Sequence, residues 1–151
     1  MRYIIGLLLI NLFLISCATT YGPASENFSG GYEDQLTGKN TAIVRFKSNA
    51  YTSMTETQKF AMKRAAELTL ERGFDYFLIE GNSVYEKNVK LQSQVSCYDY
   101  GYSIQCNEYG GGTLSKPRVE LTVRMFRGNT PNQTGYYGAQ EFLNYNWSNS
   151  N

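Results

Sequence analysis

Apolar residues recur along this chain with two different periods, and the points where the period changes predict its elements. Thr41 to Lys47 reads T-A-I-V-R-F-K, β-branched and aromatic, which predicts a strand with Ile43 and Val44 on opposite faces. Ser53-Met54-Thr55-Glu56 then matches a capping box, in which the serine hydroxyl takes a free amide and the glutamate reaches back. From there to Arg72 the period is helical: Ala61, Met62, Ala65, Leu68 and Thr69 share one face. Lys59, Lys63, Glu67 and Glu71 lie away from that stripe, and Arg64 with Glu67 and Glu71 reads as an exposed ion-pair face. Gly73 supplies the left-handed stop. Phe74 to Glu80 predicts a second strand, and Val84 to about Val95 a third, with Val89, Leu91 and Val95 on one side. Over Pro117 to Arg127, Val119, Leu121, Val123 and Met125 alternate with Arg118, Glu120, Thr122 and Arg124, a fourth strand with one buried face and one wet face. Asn129 to Gly135 is a loop, and Gly138 to Tyr145 has the spacing of a short last helix. The order β-α-β-β-β, with that short helix after it, predicts an α+β domain over residues 41–151: one long helix packed on a roughly four-stranded sheet.

The N-terminus carries a different pattern. Arg2 is followed by an almost wholly apolar run from Tyr3 to Ile15, well short of the roughly 20 residues that cross a bilayer as a helix. A basic start, a short apolar run and a small residue before the cut predict a secretory signal over residues 1–16. Its ending, Leu14-Ile15-Ser16-Cys17, resembles the bacterial lipobox. That resemblance implies cleavage before Cys17, a diacylglyceryl thioether on its thiol and acylation, as by palmitate, of the new amino terminus. Each buried methylene contributes about 0.8 kcal/mol, so two or three chains hold a protein permanently where one does not. Ala18 stands where an aspartate would favour the inner membrane, so the expected location is the outer membrane, with its leaflet and face left open. Residues 17–40, polar and holding Gly22, Pro23, Gly30, Gly31 and Gly38, read as a lipidated tether.

Composition narrows the chemistry. There are 14 Lys plus Arg against 13 Asp plus Glu, and removal of Arg2 leaves the mature chain formally neutral, without the basic footprint of a nucleic-acid binder. Histidine is absent, which excludes Ser-His-Asp and Cys-His catalysis and removes the commonest metal ligand. Gly110-Gly111-Gly112 lacks the lysine and the helix of a phosphate loop. Asp75, Glu80, Asp99, Glu108 and Glu120 could pair for glycoside hydrolysis only if the fold joined two of them; each reads as a surface charge. No metal and no cofactor is expected. Cys97 and Cys106, an even pair in an exported chain, predict a disulfide closing a loop of about ten residues between strands three and four. Tyr98, Tyr100 and Tyr102 inside that loop, with Tyr109 beyond it, have the composition of an adaptable contact surface for a protein or glycan. Tyrosines that merely dress strand ends would look the same.

Three stretches together resemble the small proteobacterial lipoproteins of the CC0125/CC1285 family. They are Cys17-Ala18-Thr19 with Tyr21, Gly30-Gly31-Tyr32-Glu33-Asp34 with Leu36, and the run from Phe46 to Phe77. That run holds Asn49-Ala50-Tyr51-Thr52, Arg64-Ala65-Ala66-Glu67-Leu68-Thr69-Leu70 and Gly73-Phe74-Asp75-Tyr76-Phe77. The resemblance implies a membrane lipoprotein, names no activity, and draws Gly30 to Leu36 into the domain. The expectation is therefore a lipid-anchored, non-enzymatic structural or interaction module of the cell envelope. The alternative is a glycan or small-ligand binder working through the tyrosine loop.

Overall fold

The computed structural model describes residues 17–99 and 104–148, and only the backbone for 94–99, 104–109 and 146–148. The signal reading of residues 1–16, and Tyr100 and Tyr102, lie outside the described residues. The chain forms β1 (Gly31–Leu36), β2 (Thr41–Lys47), α1 (Met54–Glu71), β3 (Tyr76–Asp99), β4 (Ile104–Phe126), β5 (Tyr136–Gly138) and α2 (Ala139–Ser148). Among the described residues it is an α+β fold: five strands in the order β1-β2-β4-β3-β5, every neighbouring pair antiparallel, with two helices.

Alternation in β2 and β4 decides which face of the sheet is covered. Ala42, Val44 and Phe46 point to one side and stand opposite Val123, Leu121 and Val119. All six are buried, and α1 lies over them with Ala61, Ala65, Ala66 and Leu68. Three alanines let the helix come close, so the core is thin and dense around Phe46, Phe77 and Met125. The other face stays wet and carries cross-strand ion pairs, Arg45 with Glu120 at 2.5 Å and Arg124 with Glu80 at 2.7 Å.

Both ends of α1 follow the local code. The Ser53 hydroxyl accepts from the Glu56 amide at 3.1 Å. At the other end the Phe74 amide donates to the Thr69 carbonyl and the Gly73 amide to that of Leu70, a Schellman motif with Gly73 at φ +75°.

The structure departs from the sequence expectation in four places. The sheet has five strands, not about four. The second and third expected strands are one strand: a bulge at Glu80, between Ile79 and Gly81, leaves the ladder to β4 continuous through Gly81, Asn82 and Ser83. The fourth expected strand begins far upstream, at Ile104, as the partner of β3 along its whole length. The segment read as tether holds β1, whose glycine and acidic residues hide the edge pairing it makes with β2 from Gly31↔Lys47 to Leu36↔Ala42.

Candidate functional site

The residues just after Cys17 are built into the domain. The Thr19 amide donates to Thr52 Oγ1, and the Thr19 hydroxyl both donates to the Ser29 carbonyl and accepts from the Asn49 amide, all at 2.8 Å. Asn49 Nδ2 donates to the Cys17 carbonyl at 2.6 Å. Thr19 is buried and Cys17 is exposed. Four backbone or side-chain groups thus fix the chain within two residues of the cysteine, where the sequence suggested slack.

Next along the chain, Tyr21 inserts its ring among Tyr32, Phe46 and Phe60, with centroids 5.4–6.1 Å away. Its hydroxyl donates to Glu67, and Lys63 Nζ sits 4.1 Å from its ring centre. Burial, and then the Glu67 hydrogen bond and charge, raise the pKa of the Tyr21 hydroxyl. Arg64 lies beside it and is not the exposed residue expected from sequence. It is buried because β1 covers it: Nη2 is 2.6 Å from Asp34, while Nη1 and Nη2 bind the two Glu71 oxygens at 2.7 and 2.9 Å. Burial works against its charge, but the bonds to Glu71 and Asp34 outweigh that and raise its pKa. The segments 17–21, 30–36 and 46–77 therefore touch at points spread along α1, Thr19 with Thr52, Tyr21 with Glu67, and Asp34 with Arg64.

At the same end of the sheet a second feature begins. β2 pairs with β4 only as far as Lys47↔Arg118, and the Ser48 amide then donates to the Pro117 carbonyl. β5 pairs with β3 only at residues 76–78. From Glu86↔Pro117 to Asp99↔Ile104 the β3–β4 hairpin runs on as a two-stranded ribbon with no third strand among the described residues. At about 3.3 Å per residue it is roughly 45 Å long. Leu91 is 44% exposed on it, and Val84 and Tyr85, just before it begins, are 40% and 50% exposed. Gly110, Gly111 and Gly112 all adopt positive φ, and the pairing omits Gln92 and Gly111 without a change of register.

Cys97 and Cys106 stand directly opposite each other near the ribbon's end. Opposed Cα atoms in an antiparallel pair are about 4.5–5.5 Å apart, inside the range a disulfide spans. The strands run past both cysteines, so the pair lies across a ladder and not at the mouth of a ten-residue loop. Tyr98 and Tyr109 lie in the same ribbon, Tyr98 opposite Gln105 and Tyr109 opposite Gln94.

The candidate carboxylates are spread out. Glu80 pairs with Arg124 and Glu120 with Arg45, while Asp75 accepts from the Gly128 amide at 2.7 Å. Asp99 and Glu108 belong to the ribbon. Among the described residues no three His, Cys, Asp or Glu side chains gather as metal ligands, and no helix is long and apolar enough to cross a membrane. An open cleft of about 370 Å³ lies between β5 and α2, lined by Tyr136, Tyr137, Glu141 and Tyr145 among others. Comparison of the chain with protein-family models, with curated proteins and with solved structures finds no match in any of the three.

Proposed function

We propose that this chain is a lipid-anchored protein of the bacterial cell envelope, related to the CC0125/CC1285 lipoproteins, acting as a non-enzymatic interaction module. The observation that carries the reading is the placement of Cys17. It is exposed, and its carbonyl is held to the domain by Asn49 Nδ2. A thiol there is open to a lipid without cost to the core. The outer membrane is the location favoured by Ala18. Metabolic labelling with a palmitate analogue tests the anchor: label and membrane association are expected in the wild type, and both are expected to vanish in Cys17→Ser. Equal membrane association of the two proteins would overturn the anchor.

The ribbon is the contact element in this reading. A two-stranded hairpin with both faces in water is marginal by itself. A bridge between Cys97 and Cys106 would staple its outer part, and a partner would cover it. A photoreactive residue at Leu91 is expected to capture an envelope component in intact cells; no adduct would count against this role. The second reading, glycan binding through Tyr98, Tyr100, Tyr102 and Tyr109, draws on the position of Tyr98 and Tyr109 in the ribbon beside the cysteines. It is abandoned if tyrosine-to-alanine changes leave glycan-array binding unchanged.

A further inference from the structure

Two aromatic side chains stand out in water beside the clamp that holds residue 19. Phe28 is fully exposed and Tyr51 is 74% exposed. Phe28 precedes Ser29, whose carbonyl takes the Thr19 hydroxyl proton. Tyr51 sits between the two clamp residues Asn49 and Thr52, with its amide on Asn49 Oδ1 at 3.0 Å. Single exposed apolar residues are ordinary on a protein surface. These two differ because both flank the point where the chain would meet its lipid, and because the clamp leaves no slack there.

We propose that the face bearing Phe28 and Tyr51 rests on the bilayer, with both rings seated at headgroup depth, so that the domain is held in one orientation. The proposal rests on lipid attachment at Cys17. Acyl chains on that residue enter the membrane within two residues of a hydrogen-bonded knot, and the knot is therefore drawn down with them. Aromatic rings are the side chains that settle in the interfacial layer, apolar body inward and polar edge to the headgroups. A phenylalanine left wholly in water gains from that transfer, and a tyrosine gains while its hydroxyl stays wet. The opposite end of the sheet is then lifted clear: Lys39, on the β1–β2 turn, is separated from this face by the length of β2, about 20 Å.

The test uses the purified lipidated full chain in vesicles of phosphatidylethanolamine and phosphatidylglycerol with brominated acyl chains. In a Trp147→Phe background, single tryptophans are placed by Phe28→Trp, Tyr51→Trp or Lys39→Trp. Emission at positions 28 and 51 is expected to fall at least twofold relative to unbrominated vesicles, with position 39 unchanged. Quenching at 28 and 51 no greater than at 39, in protein shown by mass spectrometry to carry acyl chains, overturns the proposal and leaves the anchor standing. Absence of acyl mass on residue 17 removes the anchor, and the proposal with it. A benzoylphenylalanine at position 28 of the otherwise native chain gives an independent reading: a phospholipid adduct supports the seat, and a protein adduct in its place overturns it.

Discussion

Arg64 is the residue on which the N-terminal half of the fold turns. Its guanidinium joins Asp34 of β1 to Glu71 at the end of α1, and its carbon centre lies 4.4 Å from the Tyr32 ring centroid. Arg64→Met would leave Asp34 facing Glu71 with no cation between them. The expected loss is about 3 kcal/mol, the low end for breaking a buried pair from one side, read as a drop in the urea midpoint. Arg64→Lys is expected to recover less than half of it, because one ammonium cannot serve two carboxylates with a planar fork. Tyr21 makes a separate prediction. Its folded pKa is raised, so the folded chain keeps a proton that the unfolded chain releases near pH 10. The stability it contributes is complete below that pH and declines above it. The gap in melting temperature between wild type and Tyr21→Phe is therefore expected to narrow as pH climbs past about 10. A gap that widens there would refute the burial of a protonated hydroxyl.

Element by element, the sequence was most legible where a local rule and the tertiary demand agreed. Helix α1 is the clearest case: Ser53, the Ala61–Leu68 stripe and Gly73 each specify what the fold uses. Gly73→Ala is expected to cost about 1 kcal/mol by thermal melting, since a Cβ there has room but the backbone is left-handed. Legibility failed where one local signal had two meanings. Residues 81–83, between the two expected strands, stay in the ladder and the bulge falls one residue earlier, at Glu80, so one long strand read as two. Arg64 sits at a surface-like position of the helix and is covered only because β1, an edge strand two elements earlier in the chain, folds across it. Candidate site residues fared similarly. The cysteines were visible as a pair, but their register was set by a ladder no spacing rule announces. Thr19, Asn49 and Thr52 carried no chemical signal of their own and surfaced only inside the family resemblance. The ribbon itself is expected to be the least protected strand pair: amides of residues 88–93 should exchange well before those of Val44 and Val123. With a Cys97–Cys106 bridge intact, reduction should lower stability of the outer ribbon by about 2–3 kcal/mol, seen as faster exchange confined to it. Exchange unaffected by reductant would argue against the bridge.

At the scale of the whole molecule, the ribbon and the segment that begins at Cys17 leave the sheet from the same end. Lys47 and Arg118 close the common ladder there, Ser48 and Asn49 lead to the Thr19 clamp, and Glu86 and Pro117 lead into the ribbon. On the proposed anchoring at Cys17, whatever the ribbon meets would therefore be found close to the lipid surface. The clamp also constrains the order of events in the life of the chain. Once Asn49 has closed on the Cys17 carbonyl, a membrane-embedded peptidase would have to pry residue 17 from the domain to reach the bond before it. On the proposed cleavage before Cys17, maturation comes first and folding second. Chains allowed to fold before translocation would be expected to persist as uncut precursor, and a pulse-chase with delayed export would count them.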